Sequence, residues 1–320
     1  MITDVATPSV ATEHFSLWGT NGTLGVTEPA SLDDARQILD AEIAATDAAA
    51  SRFRPDGEIL ALNAAAGTGP FEVSPALLDL VRAALHASRV TAGACDPTVL
   101  DSLMALGYDR DFDALKGHAV DPGTDRLAPS LGISGIVIDD AASSISLPSG
   151  VHLDLGASAK ARTADRAAES IVRLLGIGCL VDLGGDLRVA GAPPAEGWII
   201  GVTASARTPL AGHADELIAL TTGGLASSST QIRRWQHGTE AVHHIIDPRT
   251  GHSALSPWQM VTATASSCLE ANALTTASIV WGEDALFELP QHGAAARLVR
   301  LDGSVERVGG WPMPDHAGAA

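Results

Sequence analysis

The sequence predicts an α+β fold, with mixed, largely antiparallel sheets and packed helices in one large domain. Three observations carry that expectation. Strand-like apolar runs outnumber helical stretches, several neighbouring runs are separated only by turn residues, and the helical stretches are interleaved among them. A doubly wound parallel sheet needs a long crossover after nearly every strand, and these short turns leave no room for one.

Taken in order, residues 1–14 read as a flexible N-terminus, 15–312 as the domain and 313–320 as a tail. Ser31 opens the first helix: Asp34 stands three residues on, as in a capping box, and Leu32, Ala35, Leu39 and Ile43 form one apolar stripe. Ser74-Pro75 starts a second, carrying Leu78, Val81 and Leu85. A third spans about 159–175, with Ala164, Ala167, Ile171 and Leu174 facing inward, and a fourth about 269–281. Strands are read at 135–139, 144–147, 179–183, 187–190, 198–203, 217–221, 242–246, 260–265 and 297–301. Asp302-Gly303 then turns a hairpin into 305–308.

Composition narrows the function classes. The chain has 320 residues, 46% of them hydrophobic and 18% charged, which suits a packed core and excludes wholesale disorder. Aromatics are only 4%, so Ala, Leu, Val and Ile fill the interior. A net charge of −18 argues against a nucleic-acid binder, yet leaves room for a nucleotide held by a few local donors. No apolar run reaches the roughly 18–20 residues of a membrane span. The start lacks a basic n-region, an apolar h-region and a lipidation cysteine, so no export signal is read. Cys95, Cys179 and Cys268 have no metal-like spacing and leave an odd thiol, which fits a reduced, cytoplasmic chain.

Four segments bring an acid or a hydroxyl beside small residues. In 153–160, Leu-Asp-Leu-Gly-Ala-Ser-Ala-Lys, a strand end runs into a helix with Lys160 in its first turn. It reads either as a phosphate-binding turn, with free N–H groups at the helix start, or as a tight connection with a solvated lysine. Val181-Asp182-Leu183-Gly184-Gly185-Asp186 reads first as a plain hairpin turn, and only second as a ligand loop. In His243-His244-Ile245-Ile246-Asp247-Pro248-Arg249-Thr250-Gly251, a strand delivers two histidines facing opposite ways, so only one enters a site and no paired chelate forms. On the fourth helix Asn272 and Thr276 are i and i+4, on one face. Both are oxygen donors suited to a hard cation such as Mg²⁺, or else an ordinary polar helix face.

Together these segments resemble the ApbE-type FAD:protein FMN transferases. The likeness lies in 154–165 (DLGASAKARTAD), 181–191 (VDLGGDLRVAG), 243–251 (HHIIDPRTG) and 271–277 (ANALTTA). It extends to Trp18-Gly19-Thr20, to the run from Ser51 to Glu58 leading to Asn63, to Gly93–Thr98, and to Ala226-Ser227-Ser228 before Arg234-Trp235. It covers about residues 15–310.

The resemblance implies a T-fold-like core and transfer of FMN from FAD to a Thr or Ser hydroxyl of a partner protein, with Mg²⁺ present and AMP released. Catalytic roles would fall to His244, Lys160 and Thr276. The dinucleotide would meet Trp18, Phe53, Ala94, Cys95, Asp96, Asp154, Lys160, Asp165 and His244. The metal would meet the Ala157 carbonyl, Asn272 and Thr276. The family usually carries an aspartate at the position of Asn272, so weaker Mg²⁺ binding is expected here. Glu270 lies about 200° around the helix and is a poor substitute. Gly156-Ala157 replaces the usual Gly-Gly, and many relatives are exported lipoproteins.

Family partners are modified at an Asp-Gly-x-x-Ser/Thr type sequence. Here Asp56-Gly57 leads to Leu60 and Asp302-Gly303 to Glu306, so the acceptor is expected to be another protein. Two other readings use the same residues. One is an FAD pyrophosphatase, with water as acceptor; the other is a non-catalytic flavin-binding protein, to which the neutral Asn272 lends itself.

Overall fold

The computed structural model describes residues 10–115, 119–120, 127–203 and 215–313. Among these, eight strands form one antiparallel sheet and cross it in chain order. They are β1 (Ala11–Leu17), β2 (Thr20–Val26), β3 (Cys179–Leu183), β4 (Asp186–Ala190), β5 (Gly223–Ser229), β6 (Trp258–Ala265), β7 (Ala295–Arg300) and β8 (Val305–Val308). Seven α-helices accompany them among the described residues: α1 (Leu32–Ala50), α2 (Glu58–Ala64), α3 (Pro75–Val90), α4 (Leu100–Ala105), α5 (Ala159–Leu175), α6 (Cys268–Trp281) and α7 (Ala285–Gln291).

Strand alternation sorts the side chains between the two faces. Cys179, Val181 and Leu183 point towards the helices and share a core with Leu24 and Val26, Ala35 and Leu39 of α1, and Ala164, Ala167 and Ile171 of α5. On the other face Leu180, Leu187, Val189 and Leu225 lie under a two-stranded hairpin, Trp198–Val202 with Glu216–Leu220. Helix α3 builds a further core with Ile59, Leu62, Ile145, Leu153 and Leu155. None of the helices is long and apolar enough to cross a membrane, among the described residues.

The α+β reading holds, and all four expected helices are present. Ser74 caps α3 by accepting the Leu77 N–H at 3.1 Å. Ser31 does not cap α1: it closes a 3₁₀ turn, Pro29–Ser31, and its side chain makes no cap bond, so the expected box with Asp34 does not form. Leu174 is 58% exposed; Val172 and Leu175 take the inward places as the stripe drifts around α5. Strand β1 begins at Ala11, inside the stretch expected to be loose. The strand expected over 242–246 instead spans Glu240–His243.

Strand β5 went unread because Gly-Gly-Leu-Ala-Ser-Ser-Ser has little β-propensity. Its smallness is what packing demands. A Cβ on Gly224 would stand 2.2 Å from the Cys268 nitrogen, so α6 starts directly on this strand.

Candidate functional site

The site is assembled where α5, the β3–β4 turn and α6 meet. Gly184 and Gly185 adopt φ of +75° and +91°, the two left-handed positions of a tight hairpin, so the plain turn reading is right. That turn also sets Asp186 at the first position of β4, where it is 2% exposed. Its carboxylate accepts the Asn272 Nδ2–H of α6 at 2.8 Å and pairs with the Lys160 ammonium from the first turn of α5. Asn272 is itself 7% exposed, and its Oδ1 has no hydrogen-bond partner. One turn on, Thr276 Oγ1 lies 3.4 Å from the Ser228 hydroxyl of β5, which also meets Thr275 Oγ1 at 2.9 Å. Three segments distant in sequence thus converge, and the i, i+4 pairing of Asn272 and Thr276 holds.

The two histidines divide, His243 as the last residue of the strand Glu240–His243 and His244 in the bend after it. His243 is buried: its Nε2 donates to the Ala254 carbonyl at 3.1 Å and its Nδ1 accepts the Ile245 N–H at 3.2 Å, so it is a structural, neutral ring. His244 anchors only its backbone, donating N–H to the Arg233 carbonyl at 3.2 Å, and its Nδ1 has no partner. Burial first, then the charges of Arg233, His243 and Lys160, hold its pKa well below 6.5. It is a neutral base with an unused nitrogen beside two cations.

Asp154 lies in an irregular segment before α5, not at the strand end the sequence suggested; it accepts Gly156 N–H at 2.8 Å and pairs with Arg52 Nε at 2.7 Å. Arg52 donates to the Tyr108 carbonyl at 2.6 Å and lies 4.3 Å from the ring centroid of Phe53 and 4.5 Å from that of Tyr108. Tyr108 continues to Trp235, centroids 5.4 Å apart, and Phe53 at its outer end is 40% exposed. Tyr108 and Trp235 are buried, so of this row only Phe53 is accessible to stack on a planar ring. Trp18 occupies the turn between β1 and β2 with φ +46°, a strained position for a bulky residue, and its Nε1 donates to Asp47 at 3.2 Å. Thr20 of that turn touches Gly184, which puts Trp18 at the same end of the sheet as Asp186. Ala157 is exposed immediately before α5.

Four expected cofactor contacts are used differently. Asp165 is 1% exposed and accepts the Cys268 and Leu269 N–H groups, both at 2.9 Å, with Arg188 at 3.6 Å. It caps α6 from α5 and is closed off from a ligand. Cys95 is buried against Ala87 and Ala273, and desolvation pushes its thiol up to about 12, so it is packing. Asp96 spends one oxygen on the Thr98 N–H and hydroxyl, both at 2.8 Å, and the other on Ser130, also at 2.8 Å. Its neighbour Ala94 packs against the core between α6 and β6. The segment still borders the site, because the Pro97 carbonyl accepts the Asp154 N–H at 2.8 Å.

Sequence reasoning gave no role to Asp186, Tyr108, Arg52 or Arg233. Asp186 stood in a quoted motif, but its pairing partners are 26 and 86 residues away. Asp182, also missed, faces the opposite side of the sheet, in register with Thr23 and Leu187; burial first, and Asp186 to a lesser degree, raise its pKa to about 6.

A divalent ion suits what is present. No three His, Cys, Asp or Glu side chains gather among the described residues. The orphaned Asn272 Oδ1 and the Thr276 hydroxyl are neutral hard donors, the kind that leave room for phosphate oxygens and water around Mg²⁺.

A family model described as the ApbE family matches residues 18–298. Over 284 residues the chain is 26% identical to the FAD:protein FMN transferase of Haemophilus influenzae, covering 85% of this chain and 80% of that protein. Over 250 residues it is 31% identical to the FAD:protein FMN transferase of Treponema pallidum, covering 72% and 67%. Its fold is similar to the crystal structure of the ApbE protein from Thermotoga maritima, with a TM-score of 0.77 at 26% identity over 94% of this chain and 97% of that one. The apo flavinyl transferase ApbE of Pseudomonas stutzeri shares the fold with a TM-score of 0.79 at 21% identity, covering 95% and 96%.

Proposed function

The chain belongs to the ApbE family, and from that membership we propose that it moves the FMN half of FAD onto a Thr or Ser hydroxyl of a partner protein, releasing AMP. The observation that carries the reading is the buried Asn272 amide, held by Asp186 beside Lys160 with its oxygen left unpartnered. Asn272 Oδ1 and Thr276 Oγ1, one helical turn apart, would hold Mg²⁺ together with the Ala157 carbonyl. Bound there, the ion would neutralise charge developing on the diphosphate.

The chain's own residues divide the remaining work. Phe53, 40% exposed, offers its ring to the flavin or the adenine, backed by the buried Tyr108, with Trp18 at the same end of the sheet. Lys160 and Arg52 would reach the diphosphate as donors from their pairs with Asp186 and Asp154, and Arg233 would add positive charge beside them. The acceptor oxygen attacks the phosphorus on the FMN side and forms the new P–O bond. The bond from that phosphorus to the bridging oxygen breaks, and AMP leaves with the electron pair. The hydroxyl proton passes to His244, whose depressed pKa keeps it unprotonated and ready as a base.

The test is incubation with FAD, Mg²⁺ and a peptide carrying an Asp-Gly-x-x-Ser/Thr sequence, with AMP release and peptide mass followed together. One FMN phosphoester per AMP is the expected result. Free FMN with an unmodified peptide identifies a pyrophosphatase instead, and tight FAD binding without AMP identifies a carrier. Either outcome overturns the proposal.

A further inference from the structure

We propose that Asp186 is the positioning residue of this site: it fixes which atom of Asn272 faces the ligand and keeps, one hydrogen bond behind that atom, the negative charge that position 272 lacks. The inference rests on the reading above and deepens it.

A carboxylate only accepts hydrogen bonds, so the Asn272 NH₂ must face Asp186, and it does so at 2.8 Å. The amide is then oriented, with Oδ1 turned away and unpartnered at a residue only 7% exposed. With no carboxylate at 186 the amide would be free to flip and present a donor, which repels a cation. The second carboxylate oxygen holds Lys160, so one buried acid, 2% exposed, sets two groups that meet the diphosphate. Asp186 is itself placed by the Gly184-Gly185 turn, whose two positive φ values fix the start of β4. A carboxylate behind a neutral ligand polarises it and raises its basicity, as partners behind metal ligands generally do. The negative charge of this site therefore stands at 186, behind the neutral amide at 272.

Electron paramagnetic resonance titration of Mn²⁺, alone and with FAD, reads this directly on the intact chain. Asp186→Asn is expected to weaken Mn²⁺ binding by roughly 10–100-fold. The exchanged pair Asp186→Asn with Asn272→Asp rebuilds the hydrogen bond with donor and acceptor swapped, and is expected to bind Mn²⁺ at least as tightly as the parent. Mn²⁺ affinity of Asp186→Asn within twofold of the parent, or an exchanged pair no better than Asp186→Asn, overturns the proposal. If Asp186→Asn does not fold, the exchanged pair alone decides. A parent chain that transfers FMN and binds Mn²⁺ while the exchange fails sinks only the positioning role. A parent that binds no Mn²⁺ even with FAD sinks the site reading and this role together.

Discussion

At the scale of single residues, His244 is the sharpest case. His244→Ala is expected to keep FAD affinity and lose about 10²–10⁴-fold in transfer rate, measured as AMP release. Burial and the nearby cations depress its pKa, so the acid limb of kcat should lie below pH 6.5. A limb above pH 6.5 would assign the base elsewhere. Asp182 gives a linkage prediction of opposite sense. Its folded pKa, about 6, lies above the ordinary carboxylate value, so the stability it contributes is present at low pH and lost as pH rises towards 6. Asp182→Asn should therefore remove a downward slope in melting temperature between about pH 4 and 6, since its amide oxygen still accepts the Gly185 N–H. Which histidine is structural was legible only as an alternation, because the choice depends on Ala254 and Ile245 receiving His243. Asp165 was expected at the dinucleotide because it ends the family-like stretch 154–165, whereas its partners are N–H groups 103 and 104 residues on.

At the scale of elements, α6 carries the site and two contacts seat it. Asp165→Ala strips the partner from two N–H groups at its start and should cost about 1–3 kcal/mol in denaturant unfolding, together with a loss of Mn²⁺ affinity as Asn272 shifts. Gly224→Ala drives a methyl into the same turn and should cost about 1–3 kcal/mol or more. A wild-type unfolding midpoint for either variant would mean the helix is positioned by other contacts. The elements with strong local signals, α3, α5, α6 and the β3–β4 hairpin, were readable because pattern and cap agree within a few residues. Strands β1, β2 and β5 were not, because their glycines and serines answer to distant neighbours. Gly22, for instance, leaves space for the Phe15 ring, which a Cβ would meet at 2.4 Å.

At the scale of the whole molecule, an eight-stranded antiparallel sheet carries helices on one face and gathers the polar groups where α5 and α6 meet its β3–β4 end. The fold class was legible because turn-joined strands exclude long crossovers. The sheet order was not, since β2 meets β3 across more than 150 residues of chain. The net charge of −18 makes the approach of an anionic dinucleotide unfavourable except at the site. Without divalent ions, FAD association followed by stopped-flow fluorescence should therefore quicken as ionic strength rises from about 20 to 150 mM. Slowing over that range would mean that the local cations dominate the field.

One crystallographic measurement bears on the centre of the account: anomalous scattering from Mn²⁺ in crystals soaked with FAD. A single peak is expected within about 2.0–2.3 Å of Asn272 Oδ1 and Thr276 Oγ1, also touching a diphosphate oxygen. Ordered FAD with the peak elsewhere, or with Asn272 turned to present its nitrogen, would contradict it.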